Sequence, residues 1–227
     1  MAADFARTGR KILAIGRNYA AHIAELNNTT PVEPFFFLKP NSSVVEDRVG
    51  VEVPRGVEVH HEVELGVVIG KGGRDIPRAN AMSHVAGYTL AIDYTGRNMQ
   101  NQVKKKGLPW SAAKGMDTWC PVSRFIEAKE VKDPHNLLLW YKVNGEIRQK
   151  GSTSLMLQDI PRLIEHCSSI MRLDEGDLIL TGTPEGVSRV VVGDEVTAGL
   201  EQDGKELATL THTMIAREGG YAFNPDL

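Results

Sequence analysis

Apolar and polar residues alternate with a period of two along much of the chain. In His60–Gly70, HHEVELGVVIG, the residues Val63, Leu65, Val67 and Ile69 fall on every second position, the pattern of a strand turned toward a core. KILAIG (Lys11–Gly16), the run Phe35–Leu38 and GYTLAIDYT, which ends its apolar part at Asp93, read as further strands. LLLWYKVNGEIRQKG sets Asn144-Gly145 between two strand-like runs and predicts a type I′ hairpin, and Asp203-Gly204 marks a second one. Helical spacing is rarer. DIPRLIEHCSSIM brings Ile160, Leu163, Ile164, Cys167 and Met171 to one face. Arg97 to Gly107 predicts a helix closed by its glycine. Tyr19 to Leu26 supplies good helix formers behind Asn18, a candidate cap. The polar segment Asn27–Pro34, with its two prolines, reads as a mobile loop.

Strands outnumber helices and the two do not alternate, which argues against a doubly wound parallel sheet. The expected fold is α+β: a strand-rich, mixed β-roll or barrel-like sandwich with few helices. Residues 1–50 are expected to form a small flap with a strand, a helix and a lid. Residues 51–227 are expected to form the β-roll, the two together making one domain. A chain of 227 residues is ample for such a core.

Composition narrows the partners. With 41% hydrophobic and 24% charged residues the chain is globular, and a net charge of -3 gives no bulk attraction for nucleic acid. Lys104-Lys105-Lys106 reads as a solvated helix end. The two cysteines, Cys120 and Cys167, lack metal-type spacing and read as free thiols in a reducing compartment. No apolar run is long enough to cross a bilayer. The opening MAADFARTGRK leaves the cytoplasm and the mitochondrial matrix both open.

Candidate chemistry begins with Glu62 and Glu64, which lie two apart and so share one strand face, about 7 Å from each other. Alone, such a pair reads either as the wet face of an antiparallel strand or as a cation site, since like charges side by side repel unless a cation joins them. Asp93, at the end of an apolar run and before a turn, adds a third carboxylate. An all-oxygen set suits Mg²⁺, with Mn²⁺ or Ca²⁺ as substitutes. Alternation puts His60 on the glutamate face and His61 opposite, with no firm role for His60. On a helix, His22 and Glu25 stand at i and i+3, either as a surface pair or as a base oriented by a carboxylate. Lys114, among small and aromatic residues in LPWSAAKGMDTW, could offset surplus negative charge and hold an anionic substrate. Thr183, in the turn LTGTPEGV, could grip a carboxylate.

Taken in order, GRNYAAHIAEL, FLKP, HHEVELGVVIGK, AIDYTGRNMQ, KKKGLPWSAAKGMDTWCPVS and LILTGTPEGV resemble the fumarylacetoacetate hydrolase family from about Gly16 to Gly199. The short chain looks like the compact branch that acts on acylpyruvates and oxaloacetate. The resemblance implies Glu62, Glu64 and Asp93 as Mg²⁺ or Mn²⁺ ligands, His22 and Glu25 as a catalytic dyad, and Lys114 as the active-site lysine. It implies substrate contacts at Arg97, Gln100 and Thr183. It further implies a homodimer, a mitochondrial location in eukaryotes, and a lid carrying the dyad. The expected function is that of a metal-dependent enzyme on pyruvate-like 2-oxo and 1,3-diketo acids, working through a metal-stabilised enolate. Its outcomes would be oxaloacetate tautomerisation, oxaloacetate decarboxylation and acylpyruvate C–C hydrolysis. Two alternatives are an isomerase or decarboxylase of aromatic-degradation diketo acids, and a non-catalytic protein stabilised by a structural metal.

Overall fold

A computed structural model of the chain describes residues 2–26 and 29–225. Of the expected loop Asn27–Pro34, the first two residues lie outside the described residues. In chain order the strands are β1 (Ile12–Gly16), β2 (Phe35–Lys39), β3 (Val44–Glu46), β4 (Val51–Val53), β5 (Val59–His60), β6 (Val63–Ile69), β7 (Val85–Ile92) and β8 (Thr95–Gly96). They continue with β9 (Cys120–Val122), β10 (Ile126–Glu127), β11 (Leu138–Val143), β12 (Glu146–Ser152), β13 (Leu178–Leu180), β14 (Arg189–Val190), β15 (Glu195–Gln202) and β16 (Lys205–Ala216). The α-helices are α1 (Phe5–Thr8), α2 (Ala20–Glu25), α3 (Arg97–Lys106), α4 (Ser111–Lys114) and α5 (Ile160–Ile170).

The strands form a mixed sheet of eight in the order β2-β1-β13-β6-β7-β9-β3, with β10 beside β7. A second sheet runs β12-β11-β15-β16-β4 and a third β14-β5-β8. The strand-rich α+β architecture expected from the hydrophobic pattern is present. The two large sheets share one core, in which Leu65, Val67, Leu90 and Ile92 meet Leu139, Tyr141, Val196, Leu200 and Leu210. Each such buried aliphatic contributes roughly 1.5–3 kcal/mol. Helix α5 adds Ile160, Leu163, Ile164 and Cys167 to the same core, as its spacing predicts. Asp159 caps it, its side chain accepting from the Arg162 N–H at 2.9 Å.

Both hairpin turns have the left-handed backbone that a type I′ turn needs, with φ of 51° and 83° at Asn144-Gly145 and 53° and 73° at Asp203-Gly204. Helix α3 ends at Gly107 with φ 66°. Two local expectations fail. Asn18 is not a cap: α2 follows Tyr19, with no side-chain cap bond. The Asn18 amide instead donates to the carbonyls of Thr181 at 2.8 Å and Gln158 at 3.0 Å and accepts from the Gln158 N–H at 2.7 Å. It prefers these distant partners because they satisfy three backbone polar groups at once, the Thr181 carbonyl among them buried.

The second correction concerns HHEVELGVVIG, which is not one strand. His60 ends β5, and β6 begins at Val63. Every residue of β6 is buried. Val63, Leu65, Val67 and Ile69 enter the inter-sheet core, while Val68 packs on the opposite face with Phe5, Ile12, Ala14, Leu178 and Leu180. The strand therefore has no wet face for Glu64 to occupy.

Candidate active site

Antiparallel pairing of β6 and β7 places Val63 opposite Ile92, so the start of one strand and the end of the other meet at the same edge. The Asp93 N–H donates to the Glu62 carbonyl at 2.8 Å and locks that edge. Glu62, Glu64 and Asp93 converge there, all buried, with one oxygen from each within 4.8 Å of the others. They form an acidic floor.

Three cations hold two of the three carboxylates. Lys114, at the end of α4, donates to Glu62 at 2.8 Å and Asp93 at 2.6 Å. Arg97 donates to the other oxygen of Glu62 at 2.6 Å. Lys39, at the end of β2, donates to the second oxygen of Asp93 at 2.8 Å and also reaches the Lys114 carbonyl. Burial pushes the Glu62 carboxyl up, but Lys114 and Arg97 outweigh it and hold Glu62 below the usual carboxylate range. Burial likewise disfavours the Lys114 ammonium, which Asp93 and Glu62 more than restore.

Glu64 is different. No cation pairs with it among the described residues; its Oε2 accepts the Gly182 N–H at 2.6 Å. Burial first, then Asp93 and Glu62, push its carboxyl well above the usual range. Hard oxygen donors, buried and short of one positive charge at Glu64, fit a divalent cation such as Mg²⁺ or Mn²⁺.

The turn after β13 runs along the start of β6. Gly182 takes φ 96° there, which lets its N–H face Glu64. Thr183 donates to the Val63 carbonyl at 2.8 Å and accepts from Gln149 Nε2 at 2.9 Å. Above the floor, His22 Nδ1 lies 3.2 Å from Glu25 Oε2. A carboxylate only accepts, so Nδ1 carries a proton toward Glu25 and Nε2 is the nitrogen turned to proton transfer. Glu25 is itself fixed by the Gly186 N–H at 3.0 Å. Arg97 reaches Gln100 Oε1 at 2.6 Å.

His22, Glu62, Glu64, Arg97, Gln100, Lys114 and Thr183 all line one cleft. One wall is aromatic: Phe35 and Phe37 pack on Trp110 at 5.9 and 5.4 Å between ring centroids. The tip of the Phe35 ring reaches Gly16 on β1, where a Cβ would come within 2.2 Å of it. Asp93 lies at the cleft floor behind Lys39 and Lys114, and Glu25 stands behind His22.

His60 does not join the glutamates. The break before β6 rotates it away, and its Nε2 meets Glu58 at 2.8 Å. His61 is the buried histidine: it bonds Gln149 Oε1 at 2.8 Å and Ser188 Oγ at 2.9 Å and stacks on Tyr141 at 4.0 Å. Burial pulls it down to about 4, so it is neutral.

Sequence reasoning missed Lys39 and Gln149. Lys39 had a signal, a lone lysine closing the apolar run FFFLK before Pro40, the same kind of signal that marked Asp93. Gln149 had none. It sits in a hairpin strand, and only the meeting of the two sheets shows that it ties together the Val63 N–H, His61, Thr183 and the Pro184 carbonyl.

Known proteins resemble the chain over most of its length. A family model described as "Fumarylacetoacetate (FAA) hydrolase C-terminal" matches residues 11–215. The chain is 54% identical to a protein named oxaloacetate decarboxylase, mitochondrial, of Dictyostelium discoideum, over 86% of this chain and 91% of that one. It is 48% identical to oxaloacetate tautomerase FAHD1, mitochondrial, of Homo sapiens, over 85% of this chain and 87% of that one. Among solved structures, fumarylpyruvate hydrolase from Pseudomonas aeruginosa, in complex with Mn²⁺ and pyruvate, superposes with TM-score 0.86 at 34% identity, covering 92% of this chain and 90% of that one.

Proposed function

The chain belongs to the fumarylacetoacetate hydrolase family, and from that premise we propose that it is a metal-dependent enzyme on pyruvate-like 2-oxo acids. Its reactions would be keto–enol tautomerisation of oxaloacetate, decarboxylation of oxaloacetate, and C–C hydrolysis of acylpyruvates. The observation that carries this reading is the facing of two groups across one cleft: the buried three-carboxylate floor and the His22/Glu25 pair. A structural metal site has no use for an oriented base, so the pair speaks against a non-catalytic binding protein. The names of the relatives support the same substrate class.

Glu62, Glu64 and Asp93 would hold the metal, with Mg²⁺ as its physiological identity and Mn²⁺ able to replace it. When bound, the dication supplies a Lewis acid and electron sink beside the 2-oxo acid headgroup. Lys114 and Arg97 keep Glu62 ionised and set positive charge along the cleft for the substrate carboxylate. For tautomerisation, His22 Nε2 takes the enol hydroxyl proton and the imidazolium so formed returns it to C3, and the reverse in the other direction. For acylpyruvates, the same nitrogen takes a proton from a water that attacks the distal carbonyl. The C–C bond then breaks to give a carboxylic acid and pyruvate. Glu25 fixes the ring and stabilises the imidazolium between the two proton transfers. We assign Arg97, Gln100 and Thr183 to the substrate side of the cleft. We further propose a homodimer, and the mitochondrial matrix or the cytoplasm as the compartment; the mitochondrial names of the relatives favour the former.

The test is a parallel rate comparison on one preparation: enol-to-keto conversion and decarboxylation of oxaloacetate, and acetylpyruvate hydrolysis, each with Mg²⁺ and with EDTA. At least one rate should require Mg²⁺. Silence on all three would overturn the reading and favour a non-catalytic role.

A further inference from the structure

Four basic side chains line the cleft: Arg17, Arg97, Lys104 and Lys114. Arg97 and Lys114 are tied to the acidic floor. Arg17 and Lys104 have no carboxylate partner among the described residues. Arg17 touches the Thr29 carbonyl at 3.4 Å, and its guanidinium sits 5.6 Å over the Phe35 ring, on the aromatic wall. Lys104 stands in the last turn of α3, seven residues beyond Arg97, and exposes its side chain at the cleft.

Their placement is costly. Arg17 is a non-glycine residue with φ 58°, a left-handed backbone that costs of order 1–2 kcal/mol. The turn that needs this conformation sends a charged side chain to the cleft mouth instead of an asparagine or glycine. Lys104 lies close enough to feel its neighbours: partial burial, then the charges of Arg17 and Arg97, pull its ammonium below the usual lysine range. Like charges lining one cleft mouth stay there at a cost that an anion between them removes. The floor is already supplied with cations for the headgroup end of a substrate, so a second positive cluster answers to a second negative group.

We propose that Arg17 and Lys104 form an anion subsite at the mouth of the cleft that selects 2-oxo acids bearing a second carboxylate, such as oxaloacetate, over acylpyruvates with neutral tails. This selection rests on the 2-oxo acid reading above and adds to it the residues that read the far end of the substrate. Neither residue contacts a floor carboxylate, so their removal leaves the headgroup site intact. The aromatic wall beside them carries Arg17 on the Phe35 face and so serves the cation as well as any apolar tail.

The experiment uses Arg17→Gln, Lys104→Gln and the double variant of the full chain with saturating Mg²⁺. Each single change should lower kcat/KM for oxaloacetate about tenfold, the loss of one charge-assisted contact, and act mostly on KM. For acetylpyruvate, which has no distal carboxylate, each should stay within about twofold of the parent. Equal losses on the two substrates, or no loss on oxaloacetate, would overturn the subsite. A second measurement needs no turnover: the affinities of malate and lactate, which share a headgroup and differ by the distal carboxylate. The parent should bind malate about tenfold more tightly or better, and the double variant should bind both alike. A parent without malate preference sinks the subsite even if the enzyme is active. A parent that prefers malate but turns over no 2-oxo acid supports the subsite and sinks only the functional reading.

Discussion

Glu64 stands on β6, and Glu62 and Asp93 stand at the facing ends of β6 and β7, adjacent strands in the core that are cross-linked by backbone bonds. His22, Glu25 and Arg17 stand on a six-residue helix and the turn before it, held to the body outside any sheet register, by the Asn18 amide, the Gly186 N–H, the Tyr19–Met156 bridge and the buried Tyr19 and Ile23 side chains. The floor and the mouth of one cleft are thus built by opposite means. Like charges must be kept together at the floor, and only a rigid, over-determined scaffold resists their repulsion. Substrate has to enter and leave past the mouth, where a short helix outside the sheets can shift without breaking a strand register. If the division is real, damage to the floor should remove metal binding and chemistry together, and damage to the mouth should remove chemistry alone.

The largest expected effect is at the floor. Glu64→Ala removes the one carboxylate without a cation partner. Loss of residues that merely orient metal ligands costs 10–100-fold, so loss of a ligand should exceed about 10²-fold in both Mn²⁺ affinity and Mg²⁺-dependent rate. Calorimetry with Mn²⁺ decides it: unchanged affinity means that Glu64 is not a ligand. His22→Ala should come next, with hydrolytic turnover down by about 10²–10⁴ at unaltered Mn²⁺ affinity, since the ring acts on protons and touches no floor carboxylate. Undiminished hydrolysis in this variant would remove the dyad from the mechanism, and a parallel fall in metal affinity would erase the distinction between floor and mouth.

The same contrast explains what could be read from the sequence. Alternation in VELGVVI and the apolar run before Asp93 gave two of the strand positions at the floor, because strand periodicity is local and carries its own register. The α5 face, the two hairpin turns and the Gly107 stop were legible for the same reason. Lys39 and Gln149 were missed because their importance comes from partners 54 and 86 residues away in sequence, Asp93 and Val63. The misplacement of His60 has a related cause. Two residues, His61 and Glu62, sit between β5 and β6, and the pairing of β5 with β8 and β14 sets that break, which no periodicity in HHEVELG records. Asn18 looked like a cap because asparagine before a helix is usually one; its true partners, at Gln158 and Thr181, belong to another part of the chain.

Support beneath the floor gives a pH test. Tyr94, next to Asp93, meets Tyr141 and His212 Nε2, each at 2.7 Å. Burial pulls His212 down to about 4, against about 6.5 in an unfolded chain. A depressed folded value means that the unfolded state binds the proton more readily. The stability His212 contributes is therefore whole above about pH 6.5 and is lost as pH falls toward 4, at up to about 1.4 kcal/mol per pH unit and about 3 kcal/mol in all. Urea unfolding across that window should show His212→Gln losing less stability than the parent by this amount. Parallel curves would mean that His212 is not held neutral by the fold.

The smallest effect probes the joint between the two regions. Asn18 makes three hydrogen bonds to Gln158 and Thr181 and so anchors the start of α2 beside the turn that contacts Glu64. Asn18→Ala leaves two carbonyls and one N–H to find water, at a cost of roughly 1–3 kcal/mol in unfolding free energy. If mouth and floor are separate units, this loss should appear as lowered turnover through a displaced His22, with Mn²⁺ affinity held within about twofold. Should metal affinity fall in step with turnover, Asn18 transmits strain through Thr181 and Gly182 to Glu64, and helix α2 is then part of the floor's own support. Double-variant cycles of Asn18→Ala with His22→Ala, read in turnover, separate the two outcomes: coupling between Asn18 and His22 is expected only if Asn18 acts by placing the imidazole.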